Sequence, residues 1–345
     1  MKETMKAAVL YGPYKLSLSD VEKPQAKSDE VLIRIRAVGI CGTDIETYHG
    51  KYPVKYPIIM GHEAAGEVAQ VGENVTQVDV GDRVVIDPIF SCGKCYLCLL
   101  GKRNLCPNGG LLGRDMGIGA YAEYTVLPEK MVFKFPENIS YEEATTIQLL
   151  TTVYHGQKRI KIMPNDSVAI LGQGAAGLLH TRLAKLSGAN PIIATARSSW
   201  KLDLAKRFGA DITINSKDED PVKGILAHTN GRGADIVIEA VGSPETFKQA
   251  VEAVRPGGTI LFFGVFTEKI NDANLFSVYF KEITMVGSRA STGEEFEPSI
   301  RLVSTKAIDV KPLITHTFPL EKIEEGFNLV DKSPASVLRA VISVG

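Results

Sequence analysis

At 345 residues the chain exceeds the size at which one hydrophobic core stops growing, so two domains are the expectation. Its 44% hydrophobic and 23% charged residues are ordinary for a globular protein, and a formal net charge of −1 provides no field to gather nucleic acid or an acidic membrane surface. No apolar run approaches the ~18 residues of a membrane span, and the opening "MKETMKAAVLYGPYK" lacks the apolar core of a signal peptide, which points to the cytoplasm, where structural disulfides are rare.

The first ~150 residues read as β-rich. "VLIRIRAVGI" alternates, with Val31, Ile33, Ile35 and Ala37 on one face and Arg34 and Arg36 on the other. "GEVAQVGENV" and "GDRVVID" read as further short strands, and Pro53, Pro57, Pro88 and Pro107 argue against long helices among them. Cys41 lies in "GICGTD", and His62 and Glu63 follow in "GHEAAGEV". A thiolate, an imidazole and a carboxylate would give zinc three protein ligands and leave one position open. Taken singly, the same residues also read as a small core cysteine, a turn histidine and a surface charge.

The stretch "CGKCYLCLLGKRNLC" holds Cys92, Cys95, Cys98 and Cys106, spaced C-x2-C-x2-C-x7-C. Thiolates this close suit one tetrahedral zinc, and the spacing matches neither common ferredoxin pattern. Lys94, Lys102 and Arg103 soften the charge of four thiolates, and Gly93 and Gly101 permit the tight turns. With all four positions filled, this zinc is structural, so catalysis belongs elsewhere.

The pattern changes at "SYEEATTIQLLTTVYHGQKR", a predicted helix with Ser140 as N-cap and Glu143 in capping-box position. From Ser167, the apolar runs "SVAILG", "PIIATA", "DITIN", "DIVIEAVG", "TILFFG" and "ITMVGS" alternate with amphipathic stretches such as "SSWKLDLAKRFG" and "SPETFKQAVEAV". That rhythm predicts βαβ units and a doubly wound parallel sheet. "VRPGG" (Val254 to Gly258) reads as a turn between helix and strand. The last ~55 residues leave the rhythm and are expected to pack back onto the first domain.

"VAILGQGAAG" is strand, G-x-G-x-x-G and helix, with Gly172, Gly174 and Gly177 making the tight turn, the approach to a pyrophosphate and the close helix–strand packing of a dinucleotide site. The position that carries an acidic residue in NAD sites is Ala196 here, followed by Arg197, Ser198 and Ser199. Alanine does not repel a 2′-phosphate and arginine can grip one, so NADP(H) is expected in preference to NAD(H).

Taken together, "GICGTD", "GHEAAGEV", the four-cysteine lobe, "GDRV" and "VAILGQGAAG" resemble, in order and interval, the zinc-containing medium-chain dehydrogenase/reductase family over essentially the whole chain. The resemblance implies an α/β protein, a GroES-like β-rich catalytic domain interrupted by a Rossmann domain, with the active site in the cleft between them. The expected boundaries are 1–152 with the zinc lobe at about 90–110, 153–287, and 288–345. It implies that Cys41 and His62 ligate a catalytic zinc with Glu63 beside it, and that Cys92, Cys95, Cys98 and Cys106 hold a structural zinc. It further implies that Asp44 orients His62, that Thr43 takes the alcohol proton, that Thr152 packs by the nicotinamide, and that Arg339 pairs with Glu63. Where many relatives carry Cys or Glu as a further zinc ligand this chain has Gln148, similar to archaeal aldose dehydrogenases. Where they carry a relay histidine it has Glu46, with His49 nearby. The expected activity is hydride transfer between the coenzyme and a small secondary alcohol or its carbonyl, a polyol or aldose, in a homo-tetramer or homo-dimer without nucleic-acid or membrane partners. The alternatives are a dehydrogenase of simple secondary alcohols or of threonine, and, of a different class, an inert nicotinamide-binding zinc protein. Specificity is expected in loops around 46–56, 108–118 and 265–295.

Overall fold

Short apolar runs broken by Gly, Pro and Asn make the first part of the chain a succession of strands. It lays down β1 (Thr4–Leu10), β2 (Leu16–Glu22) and β3 (Glu30–Gly39), then helix α1 (Gly42–Tyr48). After these come β4 (Ile58–Ile59), β5 (Glu63–Val71), β6 (Arg83–Ile86) and β7 (Ile89–Phe90), the cysteine lobe with α2 (Tyr96–Leu99), then β8 (Gly110–Leu111), β9 (Tyr124–Pro128) and β10 (Val132–Lys134). The structure is a computed structural model and describes residues 3–271 and 273–345. Met1 and Lys2, which open the segment read for a signal peptide and the first expected domain, and Asp272, within the 265–295 loop region, lie outside the described residues.

Two compact units emerge, one of residues up to Thr151 together with Ala290–Gly345, the other Thr152–Arg289. In the first, strands run β10-β6-β5-β3 and then two strands from the end of the chain, β18 (Arg339–Ser343) and β17 (Ile314–Pro319), with β9 also paired to β3. The alternation in β3 decides its faces: Val31, Ile33, Ile35 and Ala37 are buried and Arg34 is exposed. The C-terminal segment supplies α9 (Phe296–Ser304), β17 (Ile314–Pro319), α10 (Ile323–Lys332) and β18 (Arg339–Ser343). β18 pairs antiparallel with β3, Val341 opposite Gly39, which carries Arg339 into the same sheet as Glu63. Helix α3 (Tyr141–Lys158) starts with the expected capping box: the Glu143 N–H donates to Ser140 Oγ at 3.2 Å, and the Ser140 N–H to Glu143 Oε2 at 2.8 Å.

The second unit alternates β11 (Val168–Leu171), α4 (Ala175–Leu186), β12 (Ile192–Ala196), α5 (Ser199–Phe208), β13 (Ile212–Asn215), α6 (Pro221–Ala227), β14 (Ala234–Glu239), α7 (Pro244–Ala253), β15 (Val254–Phe262), α8 (Leu275–Phe280) and β16 (Thr284–Gly287). The six strands are parallel in the order β13-β12-β11-β14-β15-β16, which is the doubly wound 3-2-1-4-5-6 order. Val254 to Gly258 opens β15 instead of forming a separate turn: Val254 pairs with Ala234 ahead of a register shift, and Arg255 Nε donates to Asp235 Oδ1 at 2.6 Å. The ion pair holds the proline–glycine stretch against the neighbouring strand.

His180 lies fully buried on α4, edge-on to Phe263 at 4.6 Å, with Gln157 Nε2 donating to its Nδ1 at 3.2 Å. Burial pulls its pKa down to about 3. The unfolded chain takes up this proton near pH ~6.5, whereas the folded chain refuses it down to about pH 3. The stability tied to a neutral His180 is therefore complete above the unfolded pKa and is lost as pH falls, by about 1.4 kcal/mol per unit. His180→Gln is expected to flatten the pH dependence of urea unfolding between roughly pH 6 and 4 by about that slope; equal slopes in the two proteins refute the assignment.

Candidate active site

Cys41 precedes α1, and Asp44 in the first turn of that helix accepts the Cys41 backbone N–H at Oδ2, 3.0 Å away. His62 and Glu63 enter where β5 pairs with the end of β3, Glu63 opposite Gly39. The register of two adjacent strands and one short helix thus gathers residues about twenty positions apart, and one ligand atom each from Cys41, His62 and Glu63 all lie within 4.8 Å of one another. His62 and Glu63 are buried, and His62 Nδ1 lies 3.3 Å from Asp44 Oδ1. A proton on Nδ1 shared with that carboxylate leaves the Nε2 lone pair free as a ligand. Thr43 Oγ1 stands 3.4 Å from Nε2. Burial lowers the His62 pKa, but Asp44 and Cys41 outweigh it and hold it well above its usual value. The same negative surroundings, with soft sulfur, imidazole and carboxylate donors, fit a zinc ion.

Glu63 also meets Arg339, whose Nη2 lies 2.6 Å from Oε2, with side-chain exposures of 4% and 2% for the arginine and the glutamate. The same nitrogen donates to the Thr145 carbonyl on α3 at 3.3 Å. Gln148 is buried one turn further along α3, where its backbone carbonyl accepts from Thr151 Oγ1 at 2.7 Å. The two relay candidates have other partners: Glu46 pairs with Lys51 at 2.9 Å, and His49 Nε2 lies 3.0 Å from Asp331 on α10 with its ring stacked on Tyr14. Sequence reading missed Tyr121, whose hydroxyl donates to Asp44 Oδ2 at 2.8 Å. Burial, with Asp44 beside it, raises this phenol well above its usual range. Its segment, "GIGAYAEY", has no local spacing that signals the contact.

In the lobe the sulfurs of Cys92, Cys95, Cys98 and Cys106 all lie within 4.8 Å of one another, and all five cysteines of the chain are free. Backbone N–H groups of Lys94 and Cys95 draw Cys92 down to about 6, while lost hydration and the neighbouring thiols push Cys98 up to about 11. Four thiols in this space cannot ionise together without a cation among them, and four sulfur donors fit zinc. Arg103 ties the lobe to the buried Asp87 carboxylate.

The glycine loop leaves β11 with Gly172 at φ +91°, and a Cβ on Gly177 would run into the Gly172 carbonyl oxygen. Gly174 caps α4, and a Cβ there would meet nothing within 4 Å, leaving the helix N-terminus open to an anion. Ala196 is buried at the end of β12, Ser198 is half-buried, and Arg197 and Ser199 are exposed. Thr152, half-buried on α3, is the first residue of the second unit.

A doubly wound parallel sheet with a glycine loop, a closed four-sulfur lobe and a mixed Cys/His/Glu cluster together define a zinc-binding, dinucleotide-linked oxidoreductase. Residues 27–137 match the alcohol dehydrogenase GroES-like domain and residues 175–305 the zinc-binding dehydrogenase domain. The chain is 35% identical to the sorbitol dehydrogenase of Bacillus subtilis (strain 168), over 94% of this chain and 92% of that protein. It is 37% identical to the L-threonine 3-dehydrogenase of Pyrococcus furiosus, over 96% of each. A solved Sinorhizobium meliloti 1021 chain bound to NADP is 32% identical, with a TM-score of 0.92 over 99% of this chain and 100% of that one. The protein belongs to the zinc-containing medium-chain dehydrogenase/reductase family, among the zinc-dependent alcohol and polyol dehydrogenases, and is an oxidoreductase that uses zinc and a nicotinamide coenzyme. Among the described residues no helix is long and apolar enough to cross a membrane.

Proposed function

We propose that the chain is an NADP(H)-linked dehydrogenase of polyhydroxylated secondary alcohols or aldoses in the cytoplasm, with residues 1–152 and 288–345 as its catalytic domain and 153–287 as its coenzyme domain. The observation that carries the reading is the convergence of Cys41, His62 and Glu63 within 4.8 Å. These three would hold the catalytic zinc, with Gln148 as a neutral fourth donor or a hydrogen-bond partner to a water there, and the lobe cysteines would hold the structural one. Bound there, zinc supplies a Lewis acid for the substrate oxygen. The nicotinamide supplies the hydride chemistry. Asp44 keeps the His62 proton on Nδ1, Thr43 takes the alcohol proton and passes it outward, and Arg339 balances the Glu63 charge. The N–H groups at the start of α4 hold the coenzyme pyrophosphate, and Thr152 packs by the nicotinamide.

Buried, polar Glu63 and Gln148 favour a substrate rich in hydroxyls, because a site built to hydrogen-bond them rejects analogues that lack them. The 37% identity to a threonine dehydrogenase supports L-threonine as a second reading. The test is kcat/KM for polyols, aldoses, L-threonine and simple alcohols. A sugar or polyol is expected to lead; threonine leading selects the second reading, and 2-propanol or butanol leading refutes both.

Coenzyme choice rests on Ala196, Arg197, Ser198 and Ser199. Arg197 is exposed and makes no ion pair among the described residues, so its guanidinium is available to a 2′-phosphate. A charge-assisted hydrogen bond contributes roughly 1.5–3 kcal/mol, which corresponds to an NADP preference of about ten- to a hundredfold. Ala196→Asp with Arg197→Leu is expected to turn that preference toward NAD. A wild-type preference for NAD of about tenfold sinks the assignment.

Association into a homo-dimer or homo-tetramer is supported by the outer strand β16 and by α8, which precedes it in the chain and whose Leu275, Phe276, Tyr279 and Phe280 are 66%, 68%, 79% and 74% exposed. Tyr279→Asp with Phe280→Asp is expected to lower the mass seen by light scattering to that of a smaller species; an unchanged mass excludes this surface.

A further inference from the structure

We propose that Tyr121 is a positioning residue for the metal centre, acting on His62 through Asp44; this rests on the reading of Cys41, His62 and Glu63 as zinc ligands. Tyr121 is fully buried. Its hydroxyl has one proton and two acceptors within reach, Asp44 Oδ2 at 2.8 Å and the Gly39 carbonyl at 3.2 Å. The carboxylate is both nearer and charged, and takes the stronger bond. The same Oδ2 receives the Cys41 N–H at 3.0 Å. Held from two sides, the carboxylate presents Oδ1 to His62 Nδ1 at 3.3 Å.

The rest of Tyr121 braces the other partner of that contact. Gly61, immediately before His62, has φ +95°, and a Cβ on it would stand 2.9 Å from the Tyr121 nitrogen and 3.0 Å from its ring. The Tyr121 N–H donates to the Met60 carbonyl at 2.9 Å, and the Ala120 N–H to the Gly61 carbonyl at 2.9 Å. One residue thus supports the turn that delivers His62 and the carboxylate that orients its ring. Packing alone does not call for the hydroxyl: the ring meets Phe327 edge-on at 5.6 Å, a contact phenylalanine makes equally well. A buried hydroxyl is costly without a partner, and here the partner is Asp44.

Without the hydroxyl, Asp44 Oδ2 keeps only the Cys41 N–H, and the orientation and basicity of His62 loosen. The test is Tyr121→Phe in the full, zinc-loaded chain, with Tyr121→Met as a second variant lacking the hydroxyl. Competition with a zinc-chelating dye is expected to show about tenfold weaker binding of the more labile zinc, and kcat to fall by a similar factor. The coenzyme KM and the retention of the lobe zinc are expected to stay at wild-type values. In an Asp44→Asn background the same change is expected to add little, because the intermediary is already lost. Wild-type zinc affinity and kcat in Tyr121→Phe overturn the proposal. An equal effect in both backgrounds, or failure of both variants to fold, assigns Tyr121 to packing and overturns it too. A wild-type chain that holds zinc only in the lobe removes the underlying reading of the site, and is told apart from these outcomes by metal analysis before any substitution.

Discussion

Cys41→Ser is expected to remove about one of about two zinc ions per chain and to lower kcat/KM by about a thousandfold or more. A Lewis acid at the substrate oxygen contributes several kcal/mol, and ~4 kcal/mol is about three decades of rate. The fold is expected to survive, because Cys41 is only half-buried and its place at the head of α1 depends on its backbone N–H bonded to Asp44. Cys95→Ser makes the contrast. It leaves three thiols in the lobe where a structural zinc needs four ligands, and structural zinc contributes folding energy directly. The expected result is loss of the other zinc and a lower unfolding midpoint, with the activity of the surviving folded molecules largely kept. Elemental analysis of the two variants beside the wild type is the measurement. A fully active wild type with at most one zinc, or a Cys41→Ser chain that keeps both metal and rate, contradicts the assignment.

In the chain stripped of its more labile zinc, Arg339→Met is expected to destabilise the protein by about 3–5 kcal/mol, the cost of leaving a buried carboxylate without its partner. The Arg339 guanidinium and Glu63 carboxylate are almost wholly shielded, 4% and 2% exposed, so solvent cannot screen what is left behind. Arg339 also bonds the Thr145 carbonyl, so its loss loosens β18 from both β5 and α3. Adding Glu63→Gln removes the stranded charge and is expected to restore much of the loss, although Glu63→Gln alone perturbs the metal centre. Urea unfolding of the wild type, both single variants and the double variant closes the cycle. A loss below about 1 kcal/mol in Arg339→Met, the range of an exposed pair, shows that the ion pair is not what secures this corner.

How far the molecule could be read from its sequence depended on the distance along the chain over which each feature is encoded. The alternation of β3, the capping box of Ser140 and Glu143, the βα rhythm after Ser167, the four lobe cysteines and the glycine loop all span a few residues to a few tens. Backbone geometry turns such spacing directly into structure, so periodicity and residue type sufficed. "VRPGG" misled because proline and glycine ordinarily mark turns, and what binds that stretch into β15 is Asp235 on the neighbouring strand β14, a pairing that the turn residues themselves do not encode. Glu46 and His49 lie near Cys41 in sequence, yet their partners, Lys51 and Asp331, became visible only in the folded chain.

Fold class, the donor types of the two proposed metal sites and the glycine loop were all legible in local stretches of sequence. The tertiary structure alone decided which side chains meet around them. Glu63 and Arg339 are 276 residues apart, and they meet because β18 returns to pair with β3 beside β5. Asp44 and Tyr121 are 77 apart, joined because the segment before β9 folds over the turn ahead of His62. Resemblance pointed to the first pair and no local pattern pointed to the second. A buried hydrogen bond or ion pair between remote segments leaves no periodic trace in either of them, because its partners are selected by strand register and core packing.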